Sequence, residues 1–304
     1  MAISLDALQV IDSIDRRGSF AGAARELDRV PSAITYTVRG IEDDLDVLLF
    51  DRRGHRAALT PAGRQLLDEG RLLLRAAERL EAQVKRTASG WETEIRIAVD
   101  DVIGCAQLLP LVAEFHAIAP RTRLRLDREV LSGTCDALMS DRCDLAIGLS
   151  GDDPSGGGYQ IRPLGHVEFL FAIAPAHALA NAPEPITRER LRAHRVVAVA
   201  DSARHLPVRS VGVLGGQDTL TVADFSTKLA AQIAGLGCGF LPEAVARRES
   251  AAGRLVIRAV EEEKPRGELR YAWRTAHRGM GLAWFTNRLV DPQLRASLLA
   301  GAMA

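Results

Sequence analysis

The chain has 304 residues, 47% hydrophobic and 26% charged, a composition that excludes disordered and collagen-like proteins and allows two or three domains. Basic and acidic side chains balance at 39 each, so no surplus advertises a nucleic-acid partner, although whole-chain charge says little about a local patch. No basic–apolar–small signal order opens the chain, no apolar run approaches the roughly 20 residues of a membrane span, and the four cysteines lack CxxC spacing; a protein of the reducing cytoplasm with no membrane partner is expected.

In chain order, the first segment predicts three short helices. Leu5, Ala7, Leu8 and Ile11 share one face of a helix closed by Arg17-Gly18. Ser19 is a good N-cap for a second helix, Phe20 to Leu27, with Phe20, Ala23, Ala24 and Leu27 as its apolar stripe. Pro31 suits the first turn of a third helix. Its Ile34, Val38, Ile41 and Leu45 face inward, leaving Ser32, Thr35, Tyr36 and Arg39 on the outer face. Two helices joined by a short turn, the second showing hydrogen-bonding side chains outward, fit a helix-turn-helix whose second helix enters a major groove.

Val47 to Phe50 and Ala57 to Leu59 read as strands flanking a basic turn with Arg52, Arg53, His55 and Arg56. Such a hairpin suits phosphate or minor-groove contact. A surface three-helix domain with a solvated basic turn would show the same pattern. From Thr60 a long helix repeats Leu66, Leu73 and Leu80 every seven residues, interleaved with Gly70, Ala77 and Val84. That seam favours pairing with a second helix, while packing on its own domain is the alternative.

Beyond Trp91, apolar strands alternate with amphipathic helices, the signature of a parallel α/β sheet. Strands are expected at Glu94 to Val99, Arg123 to Val130, Leu145 to Gly148, Phe169 to Ala174, Val196 to Ala200, near Leu220 to Val222, and at Leu269 to Trp273. No HExxH, GxSxG or phosphate-binding loop occurs, and the histidines are scattered, so neither catalysis, metal nor cofactor is expected.

The run Gly18 to Gly63 resembles the winged helix-turn-helix of LysR-type transcriptional regulators: FxxAA at Phe20 to Ala24, PSA at Pro31 to Ala33, LFDR at Leu49 to Arg52 and LTPAG at Leu59 to Gly63. PAHALA (Pro175 to Ala180) and GLGCGFLP (Gly235 to Pro242) resemble landmarks of that family's effector domain, so the likeness spans nearly the whole chain. Two positions depart from the family pattern: Asp46 stands where glycine is commoner, and Tyr36 where arginine or another polar chain is. The resemblance implies an α/β chain with a winged helix-turn-helix (1–59), a dimerising linker helix (60–90) and a two-lobed, periplasmic-binding-protein-like effector domain (91–304). Lobe I would hold 91–164 and 268–304, and lobe II 165–267.

By that resemblance the protein is a homodimer or homotetramer reading dyad-symmetric double-stranded DNA, with RNA polymerase as a further partner. Ser32, Thr35, Tyr36 and Arg39 would approach base edges, and Arg52, Arg53, His55 and Arg56 the phosphates. Ligands of open α/β sheets lie beyond the carboxyl ends of strands. Those ends supply Asp100, Asp101 and Ile103, Gly133 and Thr134, Ser150, Asp201, Ser202 and Arg204, and Phe225 and Ser226. Acids at Asp100-Asp101 either cap a helix or receive a hydroxyl, amine or protonated ring nitrogen, with Arg204 holding a carboxylate, phenolate or nitro oxygen across the cleft. The expected effector is an uncharged, phenolic, aromatic or zwitterionic small molecule. The cysteines read as buried spectators, with Cys105, at a helix start, the candidate for a lowered pKa. An exported solute-binding protein or an α/β enzyme would share the C-terminal architecture, but neither accounts for a helix-turn-helix.

Overall fold

A computed structural model of the chain describes residues 3–51, 57–262, 264, 266–277 and 279–300. It divides into two compact units, at Thr87/Ala88. The expected wing residues Arg52, Arg53, His55 and Arg56 lie outside the described residues.

The first unit opens with α1 (Leu5–Arg17), α2 (Phe20–Glu26) and α3 (Pro31–Leu45). The Ser4 and Ser19 hydroxyls accept from Ala7 N and Gly22 N, so both N-termini are capped by side chains. Gly18, at φ 67°, takes the left-handed turn between α1 and α2. Asp46 takes the same conformation after α3, at φ 53°. Val10, Ile11, Ile14, Ala23, Ala24, Ile34, Val38 and Ile41 form the core. Two expected core residues are instead exposed: Leu5 and Leu45 sit in the first and last turns of their helices, beyond the reach of neighbouring elements.

The hairpin strands are shorter than expected, β1 (Phe50–Asp51) and β2 (Ala58–Leu59), paired antiparallel with Phe50 opposite Leu59. Buried Glu42 accepts from Leu49 N (2.8 Å) and Phe50 N (3.3 Å), which ties the end of α3 to the root of the hairpin. Thr60 donates to Leu48 O and accepts from Gly63 N, so it both anchors and caps α4 (Pro61–Ser89). Leu67 of α4 is buried, and Arg71 pairs with Asp12 and Asp15 of α1. Leu66 also packs inward. Leu73, Leu80 and Val84 are 54%, 64% and 64% exposed, so the seven-residue seam splits into an inward beginning and an open continuation.

The second unit begins with β3 (Glu94–Asp100), α5 (Leu109–Ile118), β4 (Arg123–Glu129), α6 (Gly133–Met139), β5 (Leu145–Leu149) and β6 (Tyr159–Val167). It continues through β7 (Phe169–Ile173), α7 (Arg188–Arg192), β8 (Val196–Val199), β9 (Thr219–Val222), α8 (Phe225–Ile233), β10 (Gly239–Pro242), α9 (Glu243–Ala251) and β11 (Val256–Ile257). It ends with β12 (Gly267–Arg274), α10 (Met280–Arg288) and α11 (Pro292–Ala300).

Lobe I is a five-stranded sheet in the order β4-β3-β5-β12-β6, in which β3 runs parallel to β4 and β5, and β12 is antiparallel to both its neighbours. Lobe II contains β10-β7-β11 and the parallel pair β8-β9, linked by a bridge between Val196 and Cys238. β6 stays in the lobe I sheet through Val167, opposite Gly267, so the chain first changes sheet at Glu168 rather than at the expected boundary between 164 and 165. The buried Gln232 amide donates to Ala172 O and Gly239 O and locks α8 onto β7 and β10. Among the described residues, no helix is long and apolar enough to cross a membrane.

Candidate DNA-reading face and effector cleft

α3 turns its apolar residues into the core, so the side chains between them must face outward. Ser32, Tyr36 and Arg39 are exposed, Tyr36 at 80%. Thr35 is half-buried and its hydroxyl donates to Pro31 O, one turn back, which leaves its methyl and the oxygen's lone pairs for a partner. The structure therefore brings the four expected reading residues onto one face. A rigid helix carrying a hydroxyl, a phenol and a guanidinium can hydrogen-bond base edges in a major groove.

The expected cleft residues behave differently, because many of them are already engaged with protein. Asp100 is buried at the end of β3, and its Oδ1 accepts from Val102 N at 2.9 Å. The Thr134 hydroxyl lies 3.5 Å from its Oδ2. Burial pushes the Asp100 carboxyl up to about 7, with the neighbouring Asp101 charge adding to the rise. Asp101 accepts from Phe225 N at 2.6 Å, capping the first turn of α8 from the other lobe. Burial also raises its pKa, opposed by that backbone N–H and by Arg128. Arg128 bridges Asp101 and Asp224, the N-cap of α8. Asp101 is therefore a clasp between the lobes, and of the two expected roles for the acids it takes helix capping, on α8 of the other lobe rather than on the turn after β3.

A second clasp forms around Glu129. Its carboxylate accepts from the Ser202 hydroxyl and from Arg142, and Val130 N donates to Ser202 Oγ at 2.8 Å. A Cβ on Gly133 would stand 1.8 Å from that Ser202 oxygen, so a side chain there would force the lobes apart. Gly133 and Ser202 thus meet each other across the lobes. Asp136 accepts from His205 N and Leu206 N, and Arg209 donates to Ser150 O at 3.0 Å. Asp201 accepts from Ala203 N and Arg209 N, organising its own loop.

Three expected residues stand elsewhere. Ile103 is fully buried in the lobe I core, because the turn after Asp100 folds its side chain under the sheet. Ser226 is exposed on the outer side of α8. Arg204 is also exposed and gives its backbone N–H to Asp136, so the guanidinium fastened at the end of β5 is Arg209's instead. Cys105 is corrected too: burial raises its thiol pKa, as it does for Cys135, Cys143 and Cys238. All four are free thiols.

Sequence reasoning missed two lysines at this junction. Lys228, one turn into α8, is 5% exposed, and its Nζ lies 5.9 Å from the Phe225 ring centroid. Burial depresses its ammonium to about 7, with Lys264 repelling it. Lys264 Nζ rests 3.4 Å from the Phe169 ring centroid. Burial lowers it to about 8, against the pull of Asp100. The available signal was scarcity: the chain has three lysines among its 39 basic residues, and these are two of them. Among the described residues no group of histidines, cysteines and carboxylates is arranged to hold a metal ion.

The pairing of this helix-turn-helix with a two-lobed α/β module defines a ligand-responsive class of transcription regulator. Residues 5–64 match the bacterial regulatory helix-turn-helix of the lysR family, and residues 88–298 match the LysR substrate binding domain. The chain belongs to the LysR family, whose members are DNA-binding transcriptional regulators rather than enzymes. It is 37% identical over 300 residues to the HTH-type transcriptional regulator YeeY of Escherichia coli K12, covering 99% of this chain and 96% of that one. It is 38% identical over 283 residues to YhaJ of Escherichia coli O157:H7, covering 93% and 94%. The fold also matches full-length CbnR solved with its target DNA, at a TM-score of 0.61 and 18% identity, covering 95% of this chain and 99% of that one.

Proposed function

We propose that this regulator works in the cytoplasm as a homodimer or homotetramer on dyad-symmetric DNA, and that a small molecule held between its two C-terminal lobes sets its activity. The observation that carries the reading is the outer face of α3, where Ser32, Thr35, Tyr36 and Arg39 stand together on a helix fixed by buried Glu42. The crystal structure of CbnR bound to its target DNA supports the use of the equivalent unit on duplex DNA. Arg52, Arg53, His55 and Arg56 would hold the flanking phosphates, and RNA polymerase is the partner that a promoter-bound regulator would address.

Effector control requires different affinity for two arrangements of the lobes. The contacts of Asp101, Ser202 and Arg209 across the cleft are the groups whose making and breaking would separate those arrangements. The test is equilibrium binding to the regulator's own promoter fragment at fixed salt. Arg39→Ala should weaken specific binding by about 1–3 kcal/mol while leaving binding to random duplex unchanged. Equal losses on both duplexes would remove Arg39 from base reading.

A further inference from the structure

The lobe junction holds two lysines that no described residue meets with a hydrogen bond or ion pair. Lys228 rises from α8 toward the start of β10, where a Cβ on Gly239 would stand 3.3 Å from its Nζ. Gly239 pairs with Ala172 of β7, and Phe169 at the other end of that strand pair carries the Lys264 ammonium on its ring. The two lysines therefore flank one strand pair at the face turned toward lobe I. Neither has a hydrogen bond or ion pair to any described residue. Arg209 adds a third cation, its guanidinium held on the Ser150 carbonyl rather than on a carboxylate. Asp100 acts on Lys264 from the end of β3, but burial raises that carboxyl to about 7, so it is only partly ionised near neutral pH and is a weaker counter-charge than an exposed carboxylate.

Burying ammonium groups without counter-charges is unfavourable, and a folded chain gains nothing from it by itself. The influences on the pair are local and mixed: Lys264 repels Lys228 while Cys238 favours its charge, and Arg209 repels Lys264 while Asp100 favours its charge. Elsewhere in the same domain, arginines meet carboxylates as a rule, as Arg142 does with Glu129 and Asp136, and Arg96 with Asp144. The lysines break that rule at the place where the two lobes meet.

We propose that Lys228 and Lys264 form the anion-binding subsite of the effector cleft, taking an oxyanion head group such as a carboxylate, with the Phe169 and Phe225 rings beside it. This rests on the reading of the cleft as an effector site, and replaces the expectation of an uncharged or zwitterionic ligand held by Arg204. An anion there would pair with both ammonium groups at once and draw α8 and the crossover segment toward the ends of β3 and β5. Its binding would strengthen as pH falls from 8 to 6, since Lys228 and Asp100 both take up protons in that range.

The test uses the full-length protein and three anions, benzoate, succinate and phenyl phosphate, with benzamide, succinamide and phenol as uncharged counterparts. Thermal stabilisation and calorimetry should show binding by at least one anion, stronger at pH 6 than at pH 8, with its uncharged partner inactive. Lys228→Met and Lys264→Gln should each weaken it about tenfold or more, the worth of a charge-assisted hydrogen bond. Far-ultraviolet circular dichroism of both variants checks that they fold, and Lys264→Gln alone decides the matter if Lys228→Met does not. Anion binding that survives both substitutions, or no binding by any anion, overturns the subsite. If the uncharged compounds bind instead, the anion assignment fails while the effector cleft stands. If nothing binds and neither substitution alters regulation of the promoter, the effector reading fails with it.

Discussion

Glu42 and Lys228 are both buried charged side chains, and they show opposite uses of burial. Glu42 receives two backbone N–H groups and so completes the hydrogen bonding of the segment that enters the wing. Lys228 has no hydrogen bond or ion pair to a described residue, which makes it a stability defect with a predictable pH signature. In the unfolded chain it titrates near 10.5, and in the fold at about 7. Above the unfolded value neither state is charged and burial is harmless. As pH falls, the unfolded chain takes its proton first, and stability drains until the folded lysine also charges near pH 7. Lys228→Met should therefore raise the melting temperature, with the gap over wild type widest at pH 7 and below and closing toward pH 10. Asp100 titrates in the opposite sense but is present in both proteins, as are Lys264 and Cys238, so the comparison isolates Lys228. Scanning calorimetry from pH 6 to pH 10 measures it; a gap that widens with pH would contradict this account.

Helix α4 shows how one element serves two surfaces. Its first half joins the N-terminal core through Leu66, Leu67 and the Arg71 pairs, and Gly70 accommodates Leu8, which a Cβ would approach to 2.6 Å. Beyond Arg71, Leu73, Leu80 and Val84 stand in solvent, with no described residue of the unit covering them. A stripe of that kind is stable in water when a second helix covers it. Leu73→Glu combined with Leu80→Glu should shift the protein toward monomer in sedimentation velocity while the N-terminal core stays folded. An unchanged sedimentation coefficient would place self-association elsewhere. Elements of this local kind were legible in the sequence. Ser19, Pro31 and the spacing of Ile34, Val38 and Ile41 each act within a few residues, and all sit in the structure as their chemistry requires. The exposed ends Leu5 and Leu45 were not legible, because burial there depends on neighbours that arrive from elsewhere in the chain.

Across the whole molecule, the cleft was the least legible part, for a physical reason. Asp101 and Phe225 are 124 residues apart, and nothing local to either signals that one caps the other's helix. The strand ends were identifiable as a class, yet which of their side chains face a ligand and which close the lobes is decided by tertiary pairing. Asp101 and Ser202 went to the lobes, and Ile103 to the core. Lys228 and Lys264 sit within helix and crossover patterns that carry no motif. The balanced charge of the N-terminal 90 residues, 14 basic against 14 acidic, is an obstacle to non-specific DNA affinity, so recognition must rest on placement and on paired units. Selection of duplexes from a random pool at fixed, near-physiological salt tests that claim most directly. An enriched inverted repeat, lost when Arg39 is replaced by alanine, is the predicted result; a pool that stays random after repeated rounds would contradict it.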